Sequence, residues 1–252
     1  MINVVLHGCC GKMGHVLADI ISKREDMVVA AGVDPFDDGK CAFPVYKSIS
    51  DMDLSTDVII DFSTASAVDA LLDYCESTKT PVVLCTTGLS ETQIARVGEV
   101  SKSSAVLRSA NMSMGINMLM KVLAEVAPQL SAAGFDVEIV EKHHNQKLDA
   151  PSGTAIALAD SVNEACGGEF EYIYDRSDRR QKRDKKELGI SAVRGGTIVG
   201  DHDVIFAGLD EVITFSHRAY SKSVFATGAV NAAAFLAGKG AGLYDMSDVI
   251  GL

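Results

Sequence analysis

The sequence predicts an α/β protein, in which a doubly wound parallel sheet is followed by a second α+β domain with an open mixed or antiparallel sheet. Three observations support this prediction. Short apolar, β-branched runs alternate with helical patterns up to residue 113, strands dominate from residue 136 onward, and an alanine-rich helical stretch begins at residue 224. Alternating strands and helices are typical of parallel strands joined by crossover helices, whereas closely spaced strands are typical of antiparallel or mixed sheets.

Strands and helices alternate throughout the first part of the chain. The predicted helices at residues 12–23 and 65–77 each place their apolar side chains on one face, and Ser90 with Gln93 forms a capping-box pattern that opens a third. The predicted strands are residues 2–7, 27–33, 58–62, 81–87 and 105–110.

The second part begins with a predicted helix at residues 115–127, and Pro128 is expected to mark its end. Another helix is predicted at residues 154–165, and the helix at 224–237 is expected to pack back on the first domain. The predicted strands are residues 136–144, 171–174, 190–193, 198–207 and 211–216, the last four at hairpin-like spacing.

The charge balance excludes several classes of protein. The 252 residues include 34 Asp and Glu against 23 Lys and Arg, which gives a net charge of −11. A general nucleic-acid or anionic-membrane binder would show a basic excess instead. The six cysteines form no CxxC pair and no zinc-finger spacing, so we expect reduced thiols in a cytoplasmic protein. The first apolar run predicts a strand rather than a signal peptide, and no membrane span is expected.

A glycine-rich turn, GCCGKMG, follows the first predicted strand from Gly8 to Gly14. Such a turn lets the backbone approach a pyrophosphate, which then lies against the positive end of the next helix. The second strand ends at Asp34, whose carboxylate could accept hydrogen bonds from an adenosine ribose. The turn alone is equally consistent with an ordinary loop, but with Asp34 it predicts a Rossmann-like dinucleotide site. Pro35 offers no basic group for a 2′-phosphate, which favours NADH, while Lys12 leaves NADPH open.

Polar residues follow two further strands of the predicted parallel sheet. Thr86 and Thr87 end one of them, and the sequence ANMS, which closes with Ser113, ends the next. Ligands bind at the carboxyl ends of strands in open parallel sheets, so these residues would line the nicotinamide side of the crevice. Each is also an ordinary turn or capping residue, and taken singly that interpretation is favoured.

The densest chemical signal is EKHHNQKLDAPSGTA, residues 141–155, which joins a predicted strand to a predicted helix. Residues 152–154 lie around the helix N-cap, where backbone N–H groups and two hydroxyls form a natural seat for a carboxylate. His143, His144 and Lys147 can attract an anionic substrate and give it a proton. The alternative is a solvated loop. No metal site is predicted, because the histidines lack a partner pattern such as HExxH.

A basic segment at residues 176–186 has seven basic residues in eleven positions. It resembles a nucleic-acid patch, but it contains two acids and no aromatic residue, and the rest of the chain is acidic. We expect a mobile, solvated loop between strands, which could also steer an acidic substrate.

Together, the glycine turn, Asp34, the TTG and ANMS sequences and above all the run 141–155 resemble the dihydrodipicolinate (4-hydroxy-tetrahydrodipicolinate) reductase family of the diaminopimelate route to lysine. The likeness extends to the closing GLYDMSDVI. The resemblance implies that His143 is the general acid/base and Lys147 the proton donor, as hydride from NADH or NADPH yields tetrahydrodipicolinate. It implies a seat for the substrate carboxylates at His144, Ser152, Gly153 and Thr154. The implied dinucleotide contacts are Gly8, Cys9, Cys10, Gly11, Lys12, Met13, Asp34, Cys85, Thr86, Thr87, Ala110, Asn111, Met112 and Ser113.

The resemblance also implies a domain organisation. Residues 1–113 and 224–252 would bind the dinucleotide, and residues 114–223 would bind substrate and form a homotetramer. The sequence departs from the family at Cys85, where glycine is common, at Pro35, where arginine often follows the acid, and at Lys222, where an arginine is expected. These departures leave the proposed acid, lysine and carboxylate seat untouched.

Two alternative functions remain open at this point. Another two-domain NAD(P) oxidoreductase, such as a semialdehyde or homoserine dehydrogenase, would need a nucleophilic cysteine or a Lys/Asp pair in the second domain, where Cys166 is the only thiol. A non-catalytic NAD-sensing regulator would keep the glycine turn but has no need of His143, Lys147 and the carboxylate seat together. Oxidation sensitivity of Cys9 and Cys10 is a further open question.

Overall fold

A computed structural model of the chain describes residues 1–109 and 111–251. The chain divides into two compact units. The first unit comprises Met1–Ser113 and Ser223–Leu252, and the second comprises Met114–Lys222. No helix in the described part of the chain is both long and apolar enough to cross a membrane.

The secondary structure follows the order expected for an α/β unit interrupted by a second sheet. The first unit opens with β1 Ile2–His7, α1 Lys12–Ile21, β2 Met27–Val33, β3 Val45–Tyr46, β4 Val58–Asp61, α2 Ala65–Thr78, β5 Val82–Leu84, α3 Glu91–Val100 and β6 Ala105–Leu107. The second unit contains α4 Met114–Ala132, β7 Asp136–His143, α5 Gly153–Ala165, β8 Glu171–Ile173, β9 Glu187–Arg194, β10 Gly200–Ala207 and β11 Val212–Ala219. The first unit is completed by α6 Ser223–Leu236, β12 Gly242–Tyr244 and α7 Met246–Ile250.

The sheet of the first unit has the strand order β12-β6-β5-β4-β1-β2-β3, and its neighbouring strands run parallel. Successive side chains of a strand point to opposite faces. Accordingly, Val4 and Leu6 pack in one apolar cluster with residues of α1 and α6, while Val5 packs in another with residues of α2 and α3. Both faces are therefore covered by helices, which confirms the doubly wound parallel sheet.

The sheet of the second unit has the order β11-β10-β7-β9-β8. Strand β10 is antiparallel to β7 and β11, whereas β9 is parallel to β7 and β8, so the sheet is mixed, as expected. Val137 and Ile139 of β7 are buried with Leu158 and Val162 of α5. The intervening residues of β7 are half-buried, so the apolar core lies on one face only.

Two details of the second unit differ from the sequence prediction. Helix α4 continues past Pro128 to Ala132, because Ala127 and Leu130 pack into the apolar cluster and hold the turn that the proline would otherwise break. The hairpin-like spacing is wrong for β8, β9 and β10: β8 and β9 are parallel, and β7 lies between β9 and β10. Only β10 and β11 form the expected antiparallel pair among the strands from β8 onward in the described chain.

The expectation of a solvated basic loop is wrong for three of its arginines. Arg176 donates to both oxygens of Glu138 at 2.8 and 2.9 Å, and Arg183 donates to Glu138 at 2.9 Å. Arg179 pairs with the buried Glu187 at 2.7 Å. The side chains of these arginines are only 18–34% exposed. They fold onto the sheet because its carboxylates would otherwise lack counter-charges.

Candidate active site

The glycine turn after β1 has a backbone that requires glycine. Gly8 has a φ of +83°, and a Cβ there would lie 2.6 Å from the Phe62 carbonyl oxygen. A Cβ at Gly14 would lie 2.3 Å from the Cys9 carbonyl oxygen. Helix α1 begins at Lys12, and no described side chain caps its first turn. The first N–H groups of α1 are therefore available to an anionic ligand, and the compact turn fits a pyrophosphate.

Asp34 lies beside this turn. Its carboxylate is nearly buried and accepts hydrogen bonds from the backbone N–H groups of Cys10 and Phe36, both at 3.0 Å. These bonds tie the end of β2 to the glycine turn. Each carboxylate oxygen can accept more than one hydrogen bond, so the role of a ribose acceptor stays compatible with this geometry.

The other predicted cofactor residues lie at strand ends of the first unit. Thr86 and Met112 are buried, Cys85 is half-buried and Thr87 is exposed. The Asn111 side-chain oxygen accepts a hydrogen bond from the Ser113 N–H at 2.8 Å, which is the local turn chemistry considered as the alternative. Ala110 lies outside the described residues.

In the second unit, the alternation of β7 carries two polar residues onto the buried face. Val137, Ile139, Glu141 and His143 follow one another on that face. Glu141 is fully buried and His143 is 8% exposed. The buried face of β7 is thus apolar at its start and polar at its end. Burying a carboxylate and an imidazole costs free energy unless both groups are hydrogen-bonded.

Glu141 is the hub of the resulting network. Its Oε2 accepts from His143 Nδ1 at 2.6 Å and Arg194 Nη1 at 2.8 Å, and its Oε1 accepts from Arg194 Nη2 at 2.7 Å and the Ser152 N–H at 3.0 Å. Burial opposes ionisation of Glu141, but the hydrogen bonds from Arg194, His143 and Ser152 outweigh it and hold the pKa of the carboxyl below its usual value. The carboxylate is therefore ionised near neutral pH.

An ionised Glu141 fixes the tautomer of His143. Since the carboxylate only accepts, Nδ1 of His143 carries hydrogen, and Nε2 is left for proton transfer. A Cβ at Gly200 would lie 3.0 Å from Nε2, so the glycine keeps space beside this atom. An imidazole oriented by a carboxylate is the arrangement that a general acid/base requires.

His202 lies against His143, with ring centroids 5.2 Å apart in an edge-to-face arrangement. Burial, with a further contribution from the charge of His143, lowers the pKa of His202 to about 4. The ring is therefore uncharged near neutral pH, and its Nε2 forms a hydrogen bond of 3.1 Å with the Ser152 hydroxyl. Nδ1 of His202 is buried without a hydrogen-bond partner among the described residues.

The predicted carboxylate seat lies at the start of α5, and its members have different surroundings. Ser152 is 1% exposed, and its hydroxyl also accepts from the Ala155 N–H at 3.2 Å, so the hydroxyl is engaged inside the protein. Gly153 opens onto space: apart from its chain neighbours and the backbone of its own helix, no described atom lies within 4 Å of the position of a Cβ there. Thr154 and His144 are half-buried. Lys147 pairs with Asp149 at 2.8 Å, in the turn that precedes the cis Ala150–Pro151 peptide.

Sequence reasoning missed Glu141, Arg194 and His202 as members of this network. Glu141 could have been found, because it lies two residues before His143 on a strand and must share its face. Arg194 and His202 are brought in by strand register, in which Arg194 pairs with His143 and His202 with Glu141. That register is a property of the sheet and is not visible in the local sequence.

Two family models together match nearly the whole chain. Residues 2–112 match the family described as "Dihydrodipicolinate reductase, N-terminus", and residues 115–250 match "Dihydrodipicolinate reductase, C-terminus". The chain belongs to this family. The resemblance inferred from the sequence is thus confirmed. The protein is therefore an oxidoreductase that uses a pyridine nucleotide.

Relatives in this family match the chain over its full length. A 4-hydroxy-tetrahydrodipicolinate reductase of Clostridium botulinum is 48% identical and covers 100% of this chain and 99% of its own. One of Caldanaerobacter subterraneus is 49% identical, with 99% and 98% covered. A solved dihydrodipicolinate reductase from Paenisporosarcina sp. TG-14, described as dipicolinate-bound, has a TM-score of 0.77 at 24% identity and 97% coverage of both chains. That similarity confirms the fold.

Proposed function

We propose that this protein reduces 4-hydroxy-tetrahydrodipicolinate to tetrahydrodipicolinate with NADH or NADPH, a step of diaminopimelate and lysine biosynthesis. The observation that carries the proposal is the buried Glu141 carboxylate, which orients His143 and also holds the start of α5 through the Ser152 N–H. One side chain thus couples a proton donor to a helix N-terminus suited to a carboxylate. Family membership over the whole chain supports the same substrate.

His143 is the proposed general acid/base, acting through Nε2. The Glu141 carboxylate, 2.6 Å from Nδ1, fixes the orientation and the tautomer of the ring, so Nε2 is the atom that exchanges the proton. Lys147 is the proposed second proton donor. Its ammonium is held by Asp149, which keeps a cation in the loop ahead of the carboxylate seat.

The substrate carboxylates are proposed to bind at His144, Gly153 and Thr154. Gly153 presents its backbone at the positive end of α5 without a side chain in the way. Ser152 was expected to contact substrate, but we assign it a positioning role because its hydroxyl caps α5 and is hydrogen-bonded to His202.

The glycine turn, Asp34, Cys85, Thr86, Thr87 and the segment 111–113 are the proposed nucleotide contacts. When bound, the nicotinamide supplies the hydride. Asp34 carries negative charge where a 2′-phosphate would lie, and Pro35 adds no cation, which favours NADH. Lys12 is the basic residue of the turn and could contact the 2′-phosphate, which leaves NADPH as a second cofactor. The proposed reaction requires no metal ion.

The proposed assembly is a homotetramer formed through the sheet of the second unit. Helices α4 and α5 contribute to the apolar cluster on one face, whereas Lys142 and Asp203 form an ion pair at 2.7 Å among the half-buried residues of the other. A sheet face without a helix is the kind of surface that subunits cover in symmetric assemblies. A cytoplasmic location, where thiols stay reduced, completes the proposal.

A dehydrogenase with a nucleophilic cysteine is disfavoured. Cys166 is the cap residue at the far end of α5 from the Glu141 network, and burial raises the pKa of its thiol. A nucleophilic cysteine needs a lowered pKa instead.

The decisive experiment measures oxidation of NADH and of NADPH with freshly generated 4-hydroxy-tetrahydrodipicolinate. Replacing His143→Gln is expected to lower kcat by about 10²- to 10⁴-fold, the usual contribution of a general acid. Lys147→Ala should also lower kcat. His15→Gln and Lys142→Ala are matched controls that should retain wild-type turnover.

Absence of turnover in the wild-type protein would exclude the proposed substrate, and full turnover in both site variants would exclude the proposed proton donors. The cofactor preference is decided by the ratio of the two kcat/KM values. A strong preference for NADPH would mean that the charge of Asp34 does not set the choice.

A further inference from the structure

Three cysteines of the first unit form a cluster whose sulfur atoms the proposed reaction does not use. The Sγ atoms of Cys9, Cys10 and Cys41 all lie within 4.8 Å of one another. Cys9 and Cys10 are 3.7 Å apart, Sγ to Sγ. Cys9 is buried, whereas Cys10 and Cys41 are half-buried. We call these residues the thiol cluster.

The fold brings these sulfurs together across separate segments. Cys9 and Cys10 belong to the turn after β1, and Cys41 lies between β2 and β3. Gly32 of β2 makes room for the innermost thiol, since a Cβ there would lie 2.4 Å from Cys9 Sγ. The cluster is therefore a feature of tertiary packing rather than of a sequence motif.

The spacing matches the ligand shell of a thiophilic metal. Zinc–sulfur bonds of about 2.3 Å in a tetrahedral site place neighbouring sulfurs about 3.8 Å apart. The Sγ atoms of Cys9 and Cys10 are already close to this separation. The Sγ of Cys41 lies within 4.8 Å of both, so a small side-chain adjustment would bring it to ligand distance. Thiolate ligands select zinc, cadmium or copper(I) over hard cations such as magnesium.

A carboxylate is available as the fourth ligand. Cys10 also groups with Asp37 and Asp38, whose oxygen atoms lie within 4.8 Å of its sulfur and of each other. Asp38 is the better candidate, because its charge also acts on Cys41. Its Oδ2 is 3.2 Å from His15 Nε2 and 3.0 Å from Lys40 Nζ. Such outer hydrogen bonds orient a ligating carboxylate.

Three thiols that bind a divalent cation form three metal–sulfur bonds and release the protons that they carry. With Asp38 as the fourth ligand, three thiolates and one carboxylate surround the divalent ion, which gives the occupied site a formal charge of about −2.

We propose that Cys9, Cys10, Cys41 and Asp38 form a binding site for a thiophilic divalent cation such as Zn²⁺ or Cd²⁺, and that the bound ion opposes binding of the dinucleotide. The second part rests on the proposed function, because Cys9 and Cys10 belong to the turn assigned to the pyrophosphate. The negative charge of the occupied site repels that anion, and a metal at Cys10 restrains the residue whose backbone N–H holds Asp34.

The site is tested directly by titrating the reduced, full-length protein with Cd²⁺ and recording the ultraviolet thiolate-to-metal charge-transfer band. This band reports sulfur ligands only, so histidine sites elsewhere do not contribute. The wild-type protein should show the band at one equivalent. Cys41→Ser should reduce its intensity by about one third and weaken the affinity at least about tenfold. Cys166→Ser, which alters a half-buried thiol of the second unit, is the matched control and should behave as wild type.

Asp38→Asn is the second variant, and it also guards against a folding defect in Cys41→Ser, because Asp38 is a surface residue. It should weaken Cd²⁺ binding while leaving the band intensity unchanged. Absence of the band in the wild-type protein, or its full retention in Cys41→Ser, would overturn the site.

The opposing effect is measured as NADH affinity with and without saturating Zn²⁺. Zinc should weaken NADH binding to the wild-type protein and leave Cys41→Ser unaffected. Equal affinity with and without zinc would overturn the coupling. If the zinc-free protein binds neither nucleotide, the proposed function fails, whereas the cadmium titration still decides the metal site.

Discussion

Arg194 and Glu141 form a two-point ion pair in the second unit, with Nη1 2.8 Å from Oε2 and Nη2 2.7 Å from Oε1. The carboxylate is fully buried, and the arginine side chain is 19% exposed. The planar guanidinium supplies both donors in a fixed geometry, which a lysine cannot reproduce. This pair allows a full negative charge to remain inside the protein, 2.6 Å from the ring of His143.

Arg194→Ala should therefore destabilise the protein by about 3 kcal/mol, since it leaves a buried carboxylate without its main counter-charge. The free energy of unfolding, measured by urea denaturation, tests this. Arg218→Ala is the matched control: its partner Asp201 is 3.9 Å away and its side chain is 57% exposed, so a change within about 0.5 kcal/mol is expected. Equal effects of the two substitutions would contradict the role given to Arg194.

Glu141→Gln should affect catalysis through His143. The amide keeps the volume of the side chain but replaces an acceptor oxygen with a donor NH₂ group, so the tautomer of His143 is no longer fixed and kcat should fall by about 10²-fold or more. The loss should appear in kcat per folded molecule, with the folded fraction taken from urea denaturation, whereas a loss of stability alone would leave that value unchanged. Asp203→Asn, a substitution in the neighbouring strand at the Lys142 ion pair, should retain the wild-type kcat. A wild-type kcat per folded molecule in Glu141→Gln would show that the carboxylate only supports the fold.

Two glycines in helices should respond to alanine in opposite directions. Gly14→Ala places a Cβ 2.3 Å from the Cys9 carbonyl oxygen, so it should destabilise the first unit and weaken nucleotide binding. Gly98→Ala, in α3, meets no described atom within 4 Å and should stabilise the protein by about 0.5–1 kcal/mol through helix propensity. Thermal unfolding and nucleotide titration of both variants check the pair. A neutral Gly14→Ala would mean that the turn can rearrange.

His202 should make stability depend on pH. Its pKa is about 4 in the folded protein and 6.5 as the ordinary value, so between these limits the unfolded chain binds the extra proton. Stability should fall as pH decreases from about 6.5 to 4, by about 3 kcal/mol in total from this residue. Burial also lowers the pKa of His217, which adds to the same slope.

His202→Gln should reduce that slope, whereas His15→Gln, at a half-buried histidine of the first unit, should retain it. Urea denaturation at several pH values measures both. If His202→Gln shows the same dependence of unfolding free energy on pH as the wild-type protein, His202 is excluded as its source. Loss of stability below about pH 4.5 has a separate origin, because the lowered pKa of Glu141 means that its stabilising contribution disappears only as the carboxylate becomes protonated.

The prediction from sequence succeeded where local chemistry controls the structure. The capping box at Ser90 and Gln93 is present in both directions, and the glycine turn has the backbone that only glycine allows. It failed where packing overrides local preference. Pro128 lies inside a helix because its neighbours are held by the core. Arg176 and Arg183 fold onto carboxylates of β7, which lie far away in sequence.

The amino-acid sequence by itself determined the alternation of strands and helices, the glycine turn with Asp34, and the loop of His143, Lys147 and the α5 start. Each depends on a period, a turn or a cap that spans a few residues. Only the tertiary structure decided that Arg194 and His202 join Glu141, and that Cys41 meets Cys9 and Cys10. Those contacts follow from strand register and loop packing, which place residues from distant segments within hydrogen-bond or ligand distance.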